Sequence, residues 1–453
     1  MSRHLLVLLV AVIAACANPE SSPTPVEPTP PPNVIFALVD TLRADHTSLH
    51  GYHRRTTPFL EALAAQSAVF ERGRSQAGCT YPSVNSFMTS RYAFDFYRRG
   101  PDDMGIPKEF PTIAELLKRR GYSTAAVSAS PIVRRTPSDH NPSAGFDAGF
   151  DMFDESCLWA SAECVNQRAL EILGTLQEPF FLYLHYMDPH AYYQPPAGFR
   201  SFAKEYDGLQ FIAAGDPNPI GEMIYDNGPE IDFDDGDIQH LIDLYDDEIL
   251  YFDTVFARLV DHLVERGILD RSLLVVTSDH GEEFLEHGHV QHCRGVWNTL
   301  THVPLLVRPP LGAEAMRIGD PVQLIDLLPT ILDYSSVPFT SASMEGVSLR
   351  PLIDGSGGSR PYAFADQSKY RGVDDGRFHL ILDGVENTYE LYDTHTDPLE
   401  QENLASRDES QTERLAGELN DWLRATGQWV RFDHALAAGK AQEEQLRALG
   451  YLE

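Results

Sequence analysis

NVIFALVDTLRADHT, residues 33–47, is the stretch on which the fold turns. Asn33 to Val39 is a short apolar run, rich in β-branched residues and without alternation, the pattern of a strand covered on both faces. It stops abruptly at Asp40, and Thr41 and Arg43 follow. In open α/β sheets, ligands and metals gather outside the carboxyl ends of the strands. Asp also caps helices and opens turns, so the meaning of Asp40 depends on what the rest of the chain supplies.

Two further stretches supply partners. LLVVTSDHGEEFLEHGHVQH, residues 273–292, opens with a buried strand, Leu273 to Val276, and then presents Asp279 and His280. His287, His289, His292 and His302 crowd the same region, too many to read as isolated polar residues. Oxygen and imidazole donors brought together at strand ends are what a divalent cation needs. FFLYLHYMDPHAYYQPP, residues 180–196, reads as a strand from Phe180 to Leu184 that discharges His185, Asp188 and His190 at its end. A long helix, Ile238 to Arg266, separates these two strands.

Between them and the opening strand, Thr56-Thr57-Pro58 is a turn. FLEALAAQSAVFERG (59–73) then has Leu60, Leu63, Ala64 and Ser67 at helical spacing, which predicts one amphipathic helix. In AGCTYPSVNSFMTSRY (77–92) a helix is predicted from Pro82, a residue favoured at the first helical position. The Thr80 hydroxyl just ahead of it would sit in the positive end of the helix dipole, although Thr there is also an ordinary cap.

The 453 residues are 43% hydrophobic, ample for a large core and for two or three domains by length. A formal charge of −32 argues against nucleic acid and against anionic lipid surfaces as partners. Residues 1–16, MSRHLLVLLVAVIAAC, have a basic start and an apolar run too short to span a bilayer, which suits a signal peptide. Asn18 to Pro32 is Pro/Ser/Thr-rich and reads as an extended tether. Export permits disulfides. A local Cys157–Cys164 bridge is expected, and Cys79 and Cys293 are a second candidate pair. IDFDDGD (231–237) lacks the closing Glu of a calcium loop and reads as solvated.

Taken together, the strand ending in Asp40, the segment Thr80-Tyr81-Pro82-Ser83…Thr89-Ser90-Arg91, the loop GFDAGFDMFDE (145–155) and the stretches at 180–196 and 273–292 resemble the sulfatase family of the alkaline phosphatase superfamily. The likeness runs from Asn33 to about Leu404. It implies an α/β, alkaline-phosphatase-like three-layer sandwich with a large, mostly parallel sheet over residues 33–336, and a small C-terminal α+β subdomain over 337–453. RFHLILD and NTYELYDTHTDPLEQENLA resemble the antiparallel sheet of that subdomain, and EEQLRALGYLE would close the chain as a short helix. By the same resemblance Asp40, Thr80, Asp279 and His280 hold one divalent metal ion (Mn, Zn or Ca). Thr80 is the nucleophile, and His190 and His292 contact the transferring group. Thr41, Arg43 and His185 stand as supporting positions around the metal. Ile13-Ala14-Ala15-Cys16 resembles a bacterial lipobox, which makes Cys16 a lipidated first residue after a signal peptide of residues 1–16, with 17–32 as tether. Ala17 resembles signals that direct such proteins to the outer membrane.

The departures from the pattern carry as much information. Sulfatases of this kind convert a motif Cys or Ser to formylglycine, which Thr80 cannot become. Cys79 is one position too early relative to Pro82. Thr41 replaces the second Asp of the opening pair, and Val84 stands where Arg is usual. A plain Thr resembles the phosphodiesterases and phosphoglycol transferases of the superfamily. The expectation is therefore a metal-dependent hydrolase of sulfate or phosphate esters acting through a covalent Thr80 intermediate, with phosphoester or phosphodiester cleavage favoured. Its substrates would be small-molecule, glycan or lipid esters, and its only membrane contact the lipid anchor. The alternatives are transfer to an alcohol acceptor, or a surface lipoprotein that keeps the fold for binding without turnover.

Overall fold

The structure, a computed structural model, describes residues 30–96, 105–138, 141–208, 232–339, 344–358 and 360–427. The expected signal peptide, Cys16, nearly all of the tether and the closing EEQLRALGYLE lie outside these residues.

The chain order of the strands is β1 (Asn33–Val39), β2 (Ala68–Arg74), β3 (Ser123–Ser128), β4 (Met152–Asp154), β5 (Phe180–Tyr186), β6 (Ser272–Ser278), β7 (Glu283–Phe284), β8 (Val290–Gln291), β9 (His302–Arg308), β10 (Met316–Ile318) and β11 (Val322–Gln323). The helices used below are α1 (Pro58–Leu63), α2 (Thr80–Thr89), α3 (Ile113–Lys118), α4 (Ala162–Leu173), α5 (Asp235–Glu265) and α6 (Leu327–Tyr334).

The large sheet runs β10-β2-β9-β6-β1-β5-β3-β4, with β11 also on β2. Its pairings are parallel except those of β9 with β2 and with β6. β1 lies at its centre, and its side chains divide between two cores. Ile35, Ala37 and Val39 pack with apolar residues of α1, α4 and α5. Val34, Phe36 and Leu38 pack with those of α2, α3 and α6. Both faces are covered, which is why the strand reads as a continuous apolar run. This is the expected helix–sheet–helix sandwich.

Two expectations need correction. Residues 59–73 are not one helix: α1 ends at Leu63, and Ala68–Arg74 is strand β2. Helical spacing holds only as far as Ser67, whereas Ala68, Val69 and Phe70 are buried in a row against β9. Second, α2 begins at Thr80 and not at Pro82, so the candidate nucleophile is the first residue of the helix, and Cys79 precedes it. The acidic run before α5 has a local use, because Asp234 and Asp237 form a capping box at that helix start.

The C-terminal part contains a four-stranded antiparallel sheet of β12 (Ala363–Gln367), β13 (Tyr370–Asp374), β14 (Phe378–Asp383) and β15 (Thr388–Asp393). Helix α7 (Glu409–Ala425) covers it through Leu415, Leu419, Trp422 and Leu423. Tyr92, Phe94 and Ile325 join that core, so the small sheet is packed onto the main body.

Candidate active site

Register places the first three groups. Val39 of β1 pairs with Ser278 of β6 and with Tyr186 of β5, so the next residues, Asp40 and Asp279, emerge side by side at the carboxyl edge. His185 lies inside β5, opposite Leu38, one residue before the strand ends and not beyond it as expected. The two turns are stitched together: the Leu42 N–H donates to Ser278 Oγ (2.9 Å), which donates to the His280 carbonyl (2.6 Å). Gly281 is required by close approach, since a Cβ there would lie 1.9 Å from the Thr299 carbonyl oxygen.

Ligand atoms of Asp40, Asp279 and His280 lie within 4.8 Å of one another, and all three residues are buried. Their hydrogen bonds show which atoms remain free. His185 Nε2–H donates to Asp40 Oδ2 (3.0 Å), and its Nδ1 accepts from the Tyr183 hydroxyl (3.1 Å), leaving Asp40 Oδ1 buried with no protein partner. Asp279 Oδ1 accepts from the Thr41 N–H (3.3 Å) and the His280 N–H (3.0 Å), leaving Oδ2 likewise orphaned. His280 Nδ1–H donates to the Gly281 carbonyl (2.9 Å), which turns the Nε2 lone pair inward. Buried polar atoms without partners are costly, and a cation would satisfy both carboxylate oxygens while taking the His280 lone pair as a third ligand.

The electrostatics agree. Burial and the neighbouring Asp40 carboxylate push the Asp279 carboxyl up to about 6. Burial works in the same direction on Asp40, but the His185 hydrogen bond and the nearby His190 and His280 hold it below the usual carboxylate range. Two crowded carboxylates and an inward imidazole fit a divalent ion.

Thr41 takes a left-handed backbone, φ 57°, which is costly for a β-branched residue. Its carbonyl accepts from the Tyr245 hydroxyl (2.7 Å), which in turn accepts from the Arg43 N–H (2.9 Å). The Thr41 hydroxyl is buried without a partner. Arg43 is 1% exposed, and its guanidinium binds both Asp45 oxygens, Glu286 Oε1 (2.5 Å) and the Glu282 carbonyl (2.9 Å). It clamps the segment after β1 to the segment after His280.

Thr80 completes the cluster, with Oγ1 3.1 Å from His280 Nε2. Ser83, one turn on, donates to the Asp279 carbonyl (2.7 Å) and fixes the helix end to β6. Cys79 is bonded to Cys293, so no free thiol adjoins Thr80. The same bridge ties the residue before Thr80 to the residue after His292. Cys157 and Cys164 form the expected local bridge.

His292 Nδ1–H donates to Glu282 Oε1 (2.9 Å), while the Tyr193 hydroxyl holds Glu282 Oε2 (2.8 Å). His190 Nδ1–H donates to the Ala191 carbonyl (2.6 Å). Both rings therefore present Nε2. Burial drops His292 to about 3, helped by His280, and lowers His190 as well, so both are neutral in the resting site. Ring centroids step outward from His280 to His292 (4.5 Å) and from His292 to His190 (5.0 Å).

Two other histidines of the cluster, His287 and His302, do other work. His287 bonds Glu283 and stacks on Trp297, and His302 bonds the Glu71 carbonyl. Asp188 accepts the Ala162 N–H at the start of α4. Glu282 and Tyr245 escaped the sequence reading. Glu282 adjoins the Asp279-His280 pair, and that adjacency was its only signal. Tyr245 sits inside α5 with none.

Comparison with known proteins gives two family matches: "Sulfatase" over residues 32–337, and "N-sulphoglucosamine sulphohydrolase, C-terminal" over 285–428. The chain is similar to arylsulfatase K of Gallus gallus, at 22% identity over 88% of this chain and 83% of that one. It is also similar to N-acetylglucosamine-6-O-sulfatase of Bacteroides thetaiotaomicron, at 23% identity over 90% and 88%. Among solved structures, the phosphonate monoester hydrolase of Agrobacterium radiobacter superposes with TM-score 0.69 at 20% identity, covering 87% and 96% of the chains.

Proposed function

Because the chain belongs to the sulfatase family of ester hydrolases, we propose that it cleaves phosphate or phosphonate esters at least as well as sulfate esters, through a covalent ester on Thr80. One observation carries this. The hydroxyl at the start of α2, against His280, belongs to Thr80, and the adjacent sulfur is locked in a disulfide. No formylglycine precursor stands at that point, so release of the group by collapse to an aldehyde is closed to this site.

Asp40, Asp279, His280 and Thr80 are the residues that would hold a divalent ion (Mn, Zn or Ca). When bound, such an ion lowers the pKa of a coordinated hydroxyl and neutralises charge on the transferring oxygens. Thr80 releases its hydroxyl proton to solvent and attacks the phosphorus or sulfur centre through Oγ, forming one ester bond as the bond to the leaving oxygen breaks. His190 and His292, neutral at rest, take up a proton when an anionic ester arrives beside them. His190, the outer of the two, returns it to the leaving oxygen. Glu282 keeps His292 in the tautomer that offers Nε2. Water then cleaves the Thr80 ester and restores the hydroxyl.

The relatives named for arylsulfatase and sugar-sulfatase activity support a small-molecule or glycan ester as substrate. Lipid anchoring through Cys16, with the enzyme body exported, is part of the same proposal, as is a division into residues 33–336 and 337–453. Two disulfides support an oxidising compartment. The test is a panel of aryl sulfate, aryl phosphate, aryl phosphodiester and phosphonate ester with added Mn or Zn, for wild type and Thr80→Ala. Turnover of the phosphorus esters that Thr80→Ala abolishes is expected. Turnover of aryl sulfate alone would overturn the preference, and equal rates in both proteins would favour a binding module.

A further inference from the structure

From the buried centre the ring contacts continue outward to the surface. Trp159 packs against His190 with ring centroids 5.6 Å apart, and Tyr192 lies 6.3 Å from Trp159. His280 is fully buried, His292 is 6% exposed, Trp159 44% and Tyr192 46%. Trp159 and Tyr192 thus form an exposed, adjoining aromatic pair next to His190, with their ring planes 66° apart, and contiguous exposed apolar surface marks contact sites.

Both rings stand on anchored backbone. Trp159 lies within the short loop closed by Cys157–Cys164, and its N–H donates to the Ala129 carbonyl (2.9 Å) just beyond β3. Tyr192 precedes Tyr193, whose hydroxyl is held by Glu282. The scaffold that orients His292 thus also fixes one side of the aromatic pair. The position beside His190 matters, because His190 is the group assigned to the leaving oxygen.

Resting on the hydrolase reading above, we propose that Trp159 and Tyr192 form a stacking platform for the leaving group, and that the enzyme prefers esters whose leaving alcohol is a ring with an apolar face, an aryl group or a pyranose. Trp and Tyr offer large rigid faces at low cost in side-chain freedom, and ring stacking adds to simple burial. The platform discriminates by leaving group and takes no part in bond making.

The experiment compares kcat/KM for phenyl phosphate, a glucopyranose 6-phosphate and ethyl phosphate in the full-length, Mn-supplemented protein. Variants are Trp159→Ala, Trp159→Phe, Tyr192→Ala and a remote surface control, Val264→Ala. Expected is a fall of about tenfold in the phenyl-to-ethyl ratio for Trp159→Ala, carried mainly by KM, with a smaller fall for Tyr192→Ala and most of the ratio kept by Trp159→Phe. A parallel fall in the pyranose-to-ethyl ratio identifies a sugar ring as a substrate feature, and its absence restricts the platform to aryl groups. A ratio within twofold of wild type in Trp159→Ala overturns the proposal. If wild type hydrolyses none of the three esters, the hydrolase reading fails, and calorimetric binding of benzylphosphonate against ethylphosphonate decides the platform. A preference for the ring that Trp159→Ala removes sustains it, and equal binding refutes it.

Discussion

The two disulfides offer a sharp test because they close loops of very different length. Cys79–Cys293 spans 214 residues of sequence separation and Cys157–Cys164 only 7. If a bridge stabilises by restricting the unfolded chain, its contribution grows with the logarithm of the loop. The chain-entropy relation then gives about 5 kcal/mol for the long loop and about 2.4 kcal/mol for the short one at 25 °C. With an unfolding entropy of about 2 cal/mol/K per residue over roughly 400 residues, those losses lower Tm by about 6 °C and about 3 °C. The perturbations are Cys79→Ala with Cys293→Ala, and Cys157→Ala with Cys164→Ala, each pair made together to avoid a stray thiol. The assays are scanning calorimetry and guanidinium titration. The first pair should also lose turnover, because its bridge flanks both Thr80 and His292. Equal losses in the two double variants, or a larger loss from the short loop, would refute the reasoning.

Other expectations follow from buried charge. Arg43→Ala leaves Asp45, Glu286 and a carbonyl without their common partner, and a loss of roughly 3–5 kcal/mol in denaturant titrations is expected. Burial pushes Asp253 up to about 7 even though it accepts the Phe59 and Leu60 N–H groups at the start of α1. Between about pH 4 and 7 the folded state keeps a proton that the unfolded chain has released. The Asp253 contribution to stability therefore falls as pH rises through that window, and Asp253→Asn should flatten the fall in pH-dependent unfolding. Chelation should lower Tm, and restoring metal at about 100 times its Kd should return about 2.7 kcal/mol of stability. Asp40→Asn and Asp279→Asn should lose that response in thermal melts.

What could be read in advance, and what could not, has physical reasons. β1 was legible because burial on both faces removes alternation and leaves an unbroken apolar run ending in Asp40. Asp279-His280 was legible for the same reason, at the end of β6. β2 was lost because α1, a short 3-10 turn and the strand follow without a break in apolar character, so a helical period runs into a strand that starts at Ala68. The left-handed Thr41 is set by Tyr245 and Asp279, both more than 200 residues away in sequence, and no local pattern announces it. The histidine-rich stretch misled in part, since His287 and His302 serve ring packing and local hydrogen bonds. Glu282 gains its role only once folding brings Tyr193 and His292 to its two oxygens.

Everything proposed for the chemistry rests on Thr80 becoming covalently esterified. Acid-quenching the metal-supplemented enzyme during turnover of an aryl phosphate, followed by peptide mass spectrometry, reads that event directly. A single phosphoryl increment on the peptide carrying Thr80, present in wild type and absent after chelation, is the expected result. Robust turnover with Thr80 never modified, or with the increment on another residue, would contradict it.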